Sequence, residues 1–245
     1  MAFVVCIPAR FGSRRLPGKA LVDINGKPLI EHVYDRAKES AADRVIIATD
    51  DLKIRDACDH FGAEVCMTSK DHASGTDRIA EAVREIGLAG DDIVINLQGD
   101  EPLMPPHIID QLARLMNEEK NVDLGTVATP MQTLDEYRDP NVVKVVLGQA
   151  GHALYFSRSP IPWAKESHTV PKNAFRHLGI YAFRVSTLKR FVELPRAEVE
   201  IGESLEQLRA LANGMAIKVL VIEERPPRGV DTEADLQQVK SILKN

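Results

Sequence analysis

Short apolar runs of strand length alternate with helical patterns through the first half of this 245-residue chain. We predict strands at 3–7, 44–49, 64–67 and 92–97, and helices that begin near Pro28, Leu52, Thr76 and Pro105. Alternation of this kind is typical of βαβ units, so the chain should fold around a parallel sheet flanked by helices. Ligands of such sheets bind outside the carboxyl ends of the strands, where the loops after the strands meet.

The second half has a different pattern. Longer β runs at 124–129, 142–147, 153–157 and 177–184 indicate an extension of the sheet together with a substrate or dimerisation module. A helix over 198–213, a strand over 216–222 and a final helix from Thr232 complete the predicted elements. The chain shows no internal repeat and no low-complexity segment, and its length and its 44% hydrophobic residues suit one large domain.

The loop after the first predicted strand concentrates positive charge. It runs from Ile7 to Lys19 and carries Arg10, Arg15 and Lys19 with no intervening carboxylate. Glycines at 12 and 18 let the backbone approach a ligand, and the cations supply charge-assisted donors for phosphate oxygens. The loop therefore predicts a polyphosphate site, and the alternative is a solvated basic turn.

Two carboxylates are candidates for binding a metal that accompanies a nucleoside triphosphate. Asp100 follows the predicted strand 92–97, and Asp231 precedes the last predicted helix. Carboxylate oxygens that leave room for water and phosphate suit Mg²⁺. A capping role for Asp231 or Thr232 is the alternative at the second position.

Two further features combine a structural and a functional interpretation. The segment Ser74-Gly75-Thr76 begins a helix, so Ser74 or Thr76 is expected to cap it, while the free backbone amides there can also contact a ligand. His177 precedes an apolar strand, and a lone histidine in that setting is more often structural than catalytic.

Composition excludes several classes of protein. With 31 basic and 36 acidic residues the net charge is −5, so we expect no nucleic-acid partner and take local basic clusters as small-anion sites. No apolar run is long enough to cross a bilayer and no leader pattern precedes the first strand, so we expect no membrane association. Cys6, Cys58 and Cys66 lack metal-ligand spacing, which favours reduced thiols and a cytoplasmic protein. The common glycine-rich nucleotide fingerprints, including that of NAD-binding oxidoreductases, are absent after the first strand.

Eight sequence blocks together resemble one family, the 3-deoxy-D-manno-octulosonate (Kdo) cytidylyltransferases, also called CMP-Kdo synthetases. In chain order the blocks are Pro8 to Lys19, Ser74 to Arg78, Gln98 to Pro102, Val143 to Val146, Leu154 to Arg158, Arg176 to Tyr181, Leu205 to Arg209 and Gly229 to Thr232. The resemblance covers essentially the whole chain. It implies a nucleotide-diphospho-sugar transferase-like α/β fold with a mixed, mostly parallel sheet flanked by helices and a smaller β-rich module for substrate binding and dimerisation.

The resemblance also implies roles for individual residues and for parts of the chain. Residues 1–125 and 214–245 would form a nucleotide-binding core, and about 126–213 a sugar-binding and homodimerisation module, within a single domain 1–245. The implied CTP ligands are Arg10, Arg15, Lys19, Ser74, Gly75 and Thr76. The implied ligands of the sugar acid are Gln98, Arg158, His177, Tyr181, Glu206 and Gln207. Asp100 and Asp231 would hold Mg²⁺, and these two carboxylates with Arg10 and Lys19 would be the catalytic residues.

The implied reaction is transfer of CMP from CTP to the anomeric hydroxyl of Kdo, with release of pyrophosphate, for lipopolysaccharide synthesis. The segments 163–176 and 198–204 depart from the family pattern and flank the implied sugar pocket. Transfer to 8-amino-Kdo or to a sialic acid is therefore an alternative. A nucleotide sensor without catalytic activity is a second alternative, from a different class.

Overall fold

The computed structural model describes residues 2–12, 16–163 and 169–244. Arg15, one of the predicted CTP ligands, lies outside these described residues. The strands are β1 (Phe3–Ala9), β2 (Asp23–Ile24), β3 (Lys27–Pro28), β4 (Arg44–Thr49), β5 (Glu64–Met67), β6 (Ile93–Asn96), β7 (Leu124–Pro130), β8 (Lys144–Leu147), β9 (Ala153–Ser157), β10 (Phe175–Arg184) and β11 (Ile217–Val221).

The helices flank the strands in the alternating order that the sequence predicts. They are α1 (Leu29–Lys38), α2 (Leu52–His60), α3 (Gly75–Glu85), α4 (Pro106–Glu118), α5 (Leu134–Arg138), α6 (Val185–Glu193), α7 (Glu198–Glu203), α8 (Gln207–Ala212) and α9 (Glu233–Ile242), with a short 3₁₀ helix at Lys19–Leu21. Among the described residues, no helix is both long and apolar enough to cross a membrane.

One sheet organises the described part of the chain, with the strand order β11-β7-β10-β6-β1-β4-β5, and β8 and β9 join it beside β10. The pairs β1–β4, β1–β6, β4–β5 and β7–β11 are parallel, whereas β10 runs antiparallel to both β6 and β7. The prediction of a mixed, mostly parallel sheet flanked by helices is confirmed.

The core consists of two apolar layers, one on each face of the sheet. Side chains alternate along β1, so Phe3, Val5 and Ile7 pack against α1, α2 and α4, while Val4 and Cys6 face the layer that contains α3 and α6. Burial on both faces explains why β1 is apolar throughout. With both faces covered, the strand ends are left as the place where loops form a site.

The second half differs from the sequence prediction in its helices. The helix predicted over 198–213 is broken, because Ser204 adopts the left-handed conformation with φ 53° between α7 and α8. The sequence pattern also did not predict α5 or α6. The predicted division into a core and a module stays a prediction. In the structure, β6 of the predicted core and β10 of the predicted module are neighbours in one sheet.

Candidate functional site

The larger of two adjoining cavities lies at the carboxyl ends of β1 and β6 and has a volume of about 850 Å³. Five segments line it: the loop after β1, the start of α3, the turn after β6, the α7–α8 region and the loop before α9. The predicted site residues on its wall are Arg10, Lys19, Ser74, Gly75, Gln98, Asp100, Glu206 and Asp231. Loops far apart in sequence therefore meet at one rim, as the parallel topology requires.

The ammonium group of Lys19 lies between the two candidate metal ligands. Its Nζ is 2.6 Å from Oδ2 of Asp100 and 3.1 Å from Oδ1 of Asp231. Burial lowers the pKa of Lys19, but the charges and hydrogen bonds of the two carboxylates outweigh burial and raise the pKa above its ordinary value. Lys19 is therefore a permanent cation between two converging carboxylates.

A glycine brings the loop that carries Asp231 close to the turn that carries Asp100. A Cβ atom on Gly229 would lie 2.7 Å from Oε1 of Glu101 and 2.9 Å from the carbonyl oxygen of Asp100. The next residue, Val230, donates its backbone N–H to that carbonyl oxygen at 2.8 Å. The close approach of the two segments needs a residue without a side chain at position 229.

The donor set around Lys19 fits a hard divalent cation that also binds substrate. Both carboxylates converge on one cationic centre, and carboxylate oxygens are preferred ligands of Mg²⁺. Within the described residues no group of three or more His, Cys, Asp or Glu side chains could hold a metal. A metal held by Asp100 and Asp231 would therefore take its other ligands from water and from a bound phosphate.

The start of α3 combines the capping and the ligand-facing features that the sequence predicts. Ser74 is the N-cap and forms a capping box with Asp77. Ser74 and Gly75 also line the larger cavity, where the positive end of the helix dipole favours an anion. Thr76 is buried and donates its hydroxyl to Oε2 of Glu206 at 2.5 Å, so it contacts a cavity residue without lining the cavity itself.

At the last helix, the cap is Thr232, which forms a capping box with Asp235. The sequence left open a capping role for Asp231 or for Thr232, and the structure assigns this role to Thr232. The carboxylate of Asp231 is not the cap. It reaches Lys19 instead.

The smaller cavity, of about 460 Å³, adjoins the larger one and shares Asp100 and Asp231 with it. Its wall includes Glu101, Arg176 and His177 and the segment 141–143. Burial raises the pKa of Glu101 well above its ordinary value, and the neighbouring charge of Asp100 adds to the effect. The two shared carboxylates thus stand at the junction of two spaces, each large enough for part of a ligand.

His177 is neutral and acts as a hydrogen-bond donor. Burial lowers its pKa to about 3. Thr126 donates its hydroxyl hydrogen to the carbonyl oxygen of Ile180 at 2.6 Å, so its oxygen is free to accept from Nε2 of His177 at 2.8 Å. The ring centroids of Phe156 and Tyr181 lie 5.0 and 5.4 Å from that of His177. This pattern fixes the tautomer with hydrogen on Nε2.

A bulge in β10 separates His177 from Tyr181. The pairing with β7 shifts register between these two residues, and Gly179 within the bulge has φ 71°. Burial raises the pKa of Tyr181 well above its ordinary value, and the charge of Glu206 adds to the effect. Burial also raises the pKa of Glu206, although its hydrogen bonds to Ser74 and Thr76 oppose that shift.

Of the predicted site residues that the structure describes, four line neither cavity: Thr76, Arg158, Tyr181 and Gln207. Arg158 donates from Nε to the carbonyl oxygen of Glu203 at 2.9 Å and from Nη1 to that of Pro140 at 3.0 Å. Its guanidinium therefore binds backbone carbonyl groups in this structure. Gln207 is buried at the first turn of α8. Gln98 does line the larger cavity, and its side-chain amide donates to Oδ1 of Asn96 at 3.0 Å.

Two buried arginines line the larger cavity, and neither was predicted as a site residue from the sequence. Arg78 contacts Oγ1 of Thr68 at 2.5 Å and Oδ1 of Asp50 at 3.3 Å. Arg209 makes a two-pronged contact with Glu200, with Nε and Nη2 at 3.0 and 2.7 Å from its two oxygens. Each arginine is the last residue of a motif block, Arg78 of the block 74–78 and Arg209 of the block 205–209. Membership of these blocks was the sequence signal that could have identified them as site residues.

Comparison with known proteins places this site in a family. A family model described as cytidylyltransferase matches residues 4–217. The chain is 53% identical to the 3-deoxy-manno-octulosonate cytidylyltransferase of Cellvibrio japonicus, over 99% of this chain and 98% of that protein. It is 49% identical to the 3-deoxy-manno-octulosonate cytidylyltransferase of Halorhodospira halophila, over 100% of this chain and 98% of the relative.

Solved structures agree with the sequence relatives. A CMP:2-keto-3-deoxy-manno-octonic acid synthetase complexed with CTP superposes with a TM-score of 0.91 at 41% identity, covering 99% of this chain and 98% of that one. A Bacillus anthracis protein with the provisional name glucose-1-phosphate thymidylyltransferase superposes with a TM-score of 0.68 at 17% identity. The superposition covers 100% of this chain and 96% of the other. The second likeness concerns the fold alone.

Proposed function

The chain belongs to the cytidylyltransferase family, and we propose that it transfers CMP from CTP to the anomeric hydroxyl of Kdo, giving CMP-Kdo and pyrophosphate. The observation that carries this proposal is the convergence of Asp100 and Asp231 on Lys19 where the two cavities adjoin. Such a centre suits a triphosphate in the larger cavity and an acidic acceptor beside it, at the junction with the smaller cavity. The relatives support Kdo as the acceptor and lend no support to a sialic acid or to a silent sensor.

The nucleotide would bind in the larger cavity. Arg10 and Lys19 are the cations that face it from the loop after β1, and Ser74 and Gly75 present the amino end of α3. Phosphate oxygens find charge-assisted donors in the first pair and backbone amides in the second. Positioning and charge neutralisation by these groups are the main requirements of phosphoryl-group transfer.

We propose that Asp100 and Asp231 hold Mg²⁺. When bound, the ion would neutralise charge on the triphosphate and on the departing pyrophosphate. Lys19 would then share the two carboxylates with the ion and direct its one remaining hydrogen toward a phosphate oxygen atom.

The acceptor would bind where the cavities adjoin, among Gln98, His177 and Glu206. His177 orients through its neutral ring, since a pKa of about 3 makes it a poor base. Gln207 supports this pocket from a buried position and Tyr181 from a half-buried one. For Arg158 to grip the acceptor carboxylate, its Nη1 would exchange the hydrogen bond to Pro140 for the ligand, while Nε keeps the carbonyl oxygen of Glu203.

In the proposed reaction the anomeric oxygen attacks the α-phosphorus of CTP in line. A bond forms between that oxygen and phosphorus, the bond from phosphorus to the pyrophosphate oxygen breaks, and the hydroxyl proton leaves to solvent or to a nearby base. Arg10 and Lys19 stabilise the negative charge that develops on the transferring group and on pyrophosphate.

We also propose that the protein is a cytoplasmic homodimer that serves lipopolysaccharide synthesis. Its three cysteines are free, as expected in a reducing compartment. Among the described strands β9 pairs with β8 alone, and Leu154 and Tyr155 on β9 are exposed, which supports a subunit contact at this edge. Sedimentation velocity at micromolar concentration should give twice the chain mass of 27.1 kDa.

Pyrophosphate release from CTP and Mg²⁺ tests the proposed function, with Kdo, 8-amino-Kdo and N-acetylneuraminate offered separately. Release with Kdo, together with a product of the mass of CMP-Kdo, is the expected result. Release with a different acid alone would change the identity of the acceptor and leave the proposed transfer of CMP in place. CTP binding without release from any acid would favour the sensor.

A further inference from the structure

Lys144 is a buried cation that neither the nucleotide site nor the acceptor site uses. It begins β8 within the block Val143 to Val146, and its side chain is fully buried. Its ammonium donates to the backbone carbonyl oxygen of Asp139 at 3.0 Å, to that of Val142 at 2.7 Å and to that of Arg158. Three N–H groups thus meet three carbonyl groups.

A lysine in this setting needs a physical reason, since lysine is almost never fully buried unless it is paired. Burial lowers the pKa of Lys144 to about 8. The charges of Asp139 and Glu203 oppose that shift, and the charge of Arg158 adds to it. The three carbonyl groups compensate for the lost hydration, so the cation ties backbone segments together.

The first segment that Lys144 ties down belongs to the smaller cavity. The carbonyl groups of Asp139 and Val142 bracket the turn 139–142, and Asn141, Val142 and Val143 line that cavity. The backbone N–H of Val142 donates to the carbonyl oxygen of Asp139 at 3.1 Å, which closes the turn. Lys144 therefore fixes one wall of the smaller cavity from behind.

The second segment leads to the larger cavity through Arg158. The backbone N–H of Arg158 donates to Oε2 of Glu203 at 2.9 Å, and its Nε donates to the carbonyl oxygen of Glu203. Glu203 ends α7, and Ser204, Leu205 and Glu206, which follow it, line the larger cavity. Nη1 of Arg158 also returns to Pro140 in the turn that Lys144 holds.

We propose that Lys144 is a positioning residue for the acidic sugar: it holds the turn 139–142 and Arg158 in one arrangement and, through Arg158, the segment 203–206 that carries Glu206. This inference rests on the proposed function for the identity of the acceptor. Lys144 makes no hydrogen bond or ion pair to Arg10, Lys19 or Ser74. Glu206 also contacts Ser74 and Thr76 on the nucleotide side, so removal of Lys144 should affect the acceptor more than CTP.

The test compares Lys144→Met with Val145→Ala. Methionine keeps an unbranched apolar side chain and removes all three donors, whereas Val145 is the next residue in β8 and contributes packing alone to the core. We expect Lys144→Met to raise KM for Kdo roughly tenfold or more and to raise KM for CTP much less. Val145→Ala should lower Tm and leave both KM values unchanged. Lys144→Gln, which keeps two N–H donors, should fall between wild type and Lys144→Met, and it serves if the methionine variant does not fold.

A pH profile distinguishes positioning from a general structural role. Above about pH 8 the ammonium loses one of its three N–H donors, so KM of the wild type for Kdo should begin to rise there. The charged groups that face the ammonium are Asp139, Glu203 and Arg158. The variant Lys144→Met should lack this inflection, and comparison of the two profiles removes the contribution of other groups.

Hydrogen exchange on the ligand-free protein gives a readout that does not depend on turnover. Lys144→Met should speed amide exchange at 139–143 and 203–206 and leave α2 unchanged. Unchanged exchange in both segments, or equal increases in KM for Kdo and CTP, would overturn the proposal. If the wild type releases no pyrophosphate with Kdo, the proposed function fails, while the exchange result still decides whether Lys144 holds the two segments.

Discussion

The proposed nucleotide side and the proposed acceptor side of the site are built in opposite ways. On the nucleotide side, Arg10, Lys19 and Asp100 are charged and come from loops that directly follow strands. On the acceptor side, His177 and Tyr181 lie within one long strand, and burial keeps both side chains neutral. We infer that charge neutralisation is the main task of one side, and that shape and oriented neutral hydrogen bonds, beside the cation Arg158, are the main task of the other.

The largest expected effect is on the charged side. Asp100→Asn keeps the size of the side chain and removes a charge that contacts Lys19 at 2.6 Å, so we expect kcat to fall roughly a thousandfold. Circular dichroism should show an unchanged fold. Asp91→Asn, at an exposed turn away from the cavities, is the matched control and should keep wild-type kcat. Near-normal turnover of Asp100→Asn would contradict the proposed role of the carboxylate.

The acceptor side should make the protein sensitive to acid. Because the pKa of His177 is about 3 when folded and 6.5 in a free side chain, the unfolded chain binds more protons between these values. The free energy of unfolding should therefore fall as the pH drops below about 6.5, by about 2 kcal/mol at pH 5 from this group alone. Urea unfolding at pH 5 and pH 7 measures it, and His177→Gln should reduce the difference. Equal differences in the two proteins would mean that His177 is not a buried neutral group.

A smaller effect is expected from His177→Gln on catalysis. Glutamine retains an N–H donor but loses the ring that packs beside Phe156 and Tyr181. We expect KM for Kdo to rise about tenfold, or about 1.4 kcal/mol, with KM for CTP unchanged. Steady-state kinetics with each substrate varied in turn would show this, and a rise in KM for CTP alone would reverse the assignment of the two sides.

The smallest effect should come from a charge pair outside both sides. Arg44 and Glu64 pair on the surface between β4 and the edge strand β5, with both side chains well exposed. Arg44→Ala should cost no more than about 1 kcal/mol of stability and leave kinetics unchanged. Thermal unfolding measures the first effect. A large kinetic change would show that charges act on this site from a distance.

The sequence pattern predicted that the residues of the proposed nucleotide side would meet, because its signals are local. Apolar strands alternate with helices, and Arg10, Lys19 and Asp100 follow them directly, so parallel topology alone brings these residues together. The family resemblance named residues on the acceptor side, but the pattern did not predict how they are held. The bulge at Gly179 and the helix break at Ser204 depend on tertiary packing.

Lys144 shows the limit of pattern reading most directly. Between Val143 and Val145 a lysine looks like the solvent-facing position of an alternating strand, yet its side chain is fully buried on three carbonyl groups. Those carbonyl groups come from residues 139, 142 and 158, and only the folded chain brings the last of them near. Arg209 and Glu200 form a buried ion pair, which the sequence pattern did not predict either.

The central claim is that the two sides serve different substrates, and CTP binding in the absence of acceptor tests it most directly. Isothermal titration with CTP and Mg²⁺ would compare the wild type with Lys19→Met and His177→Gln. We predict that Lys19→Met weakens CTP binding at least about tenfold, because it removes a cation that faces the larger cavity, and that His177→Gln binds CTP like the wild type. Equal loss of CTP affinity in both variants would contradict the division of the site.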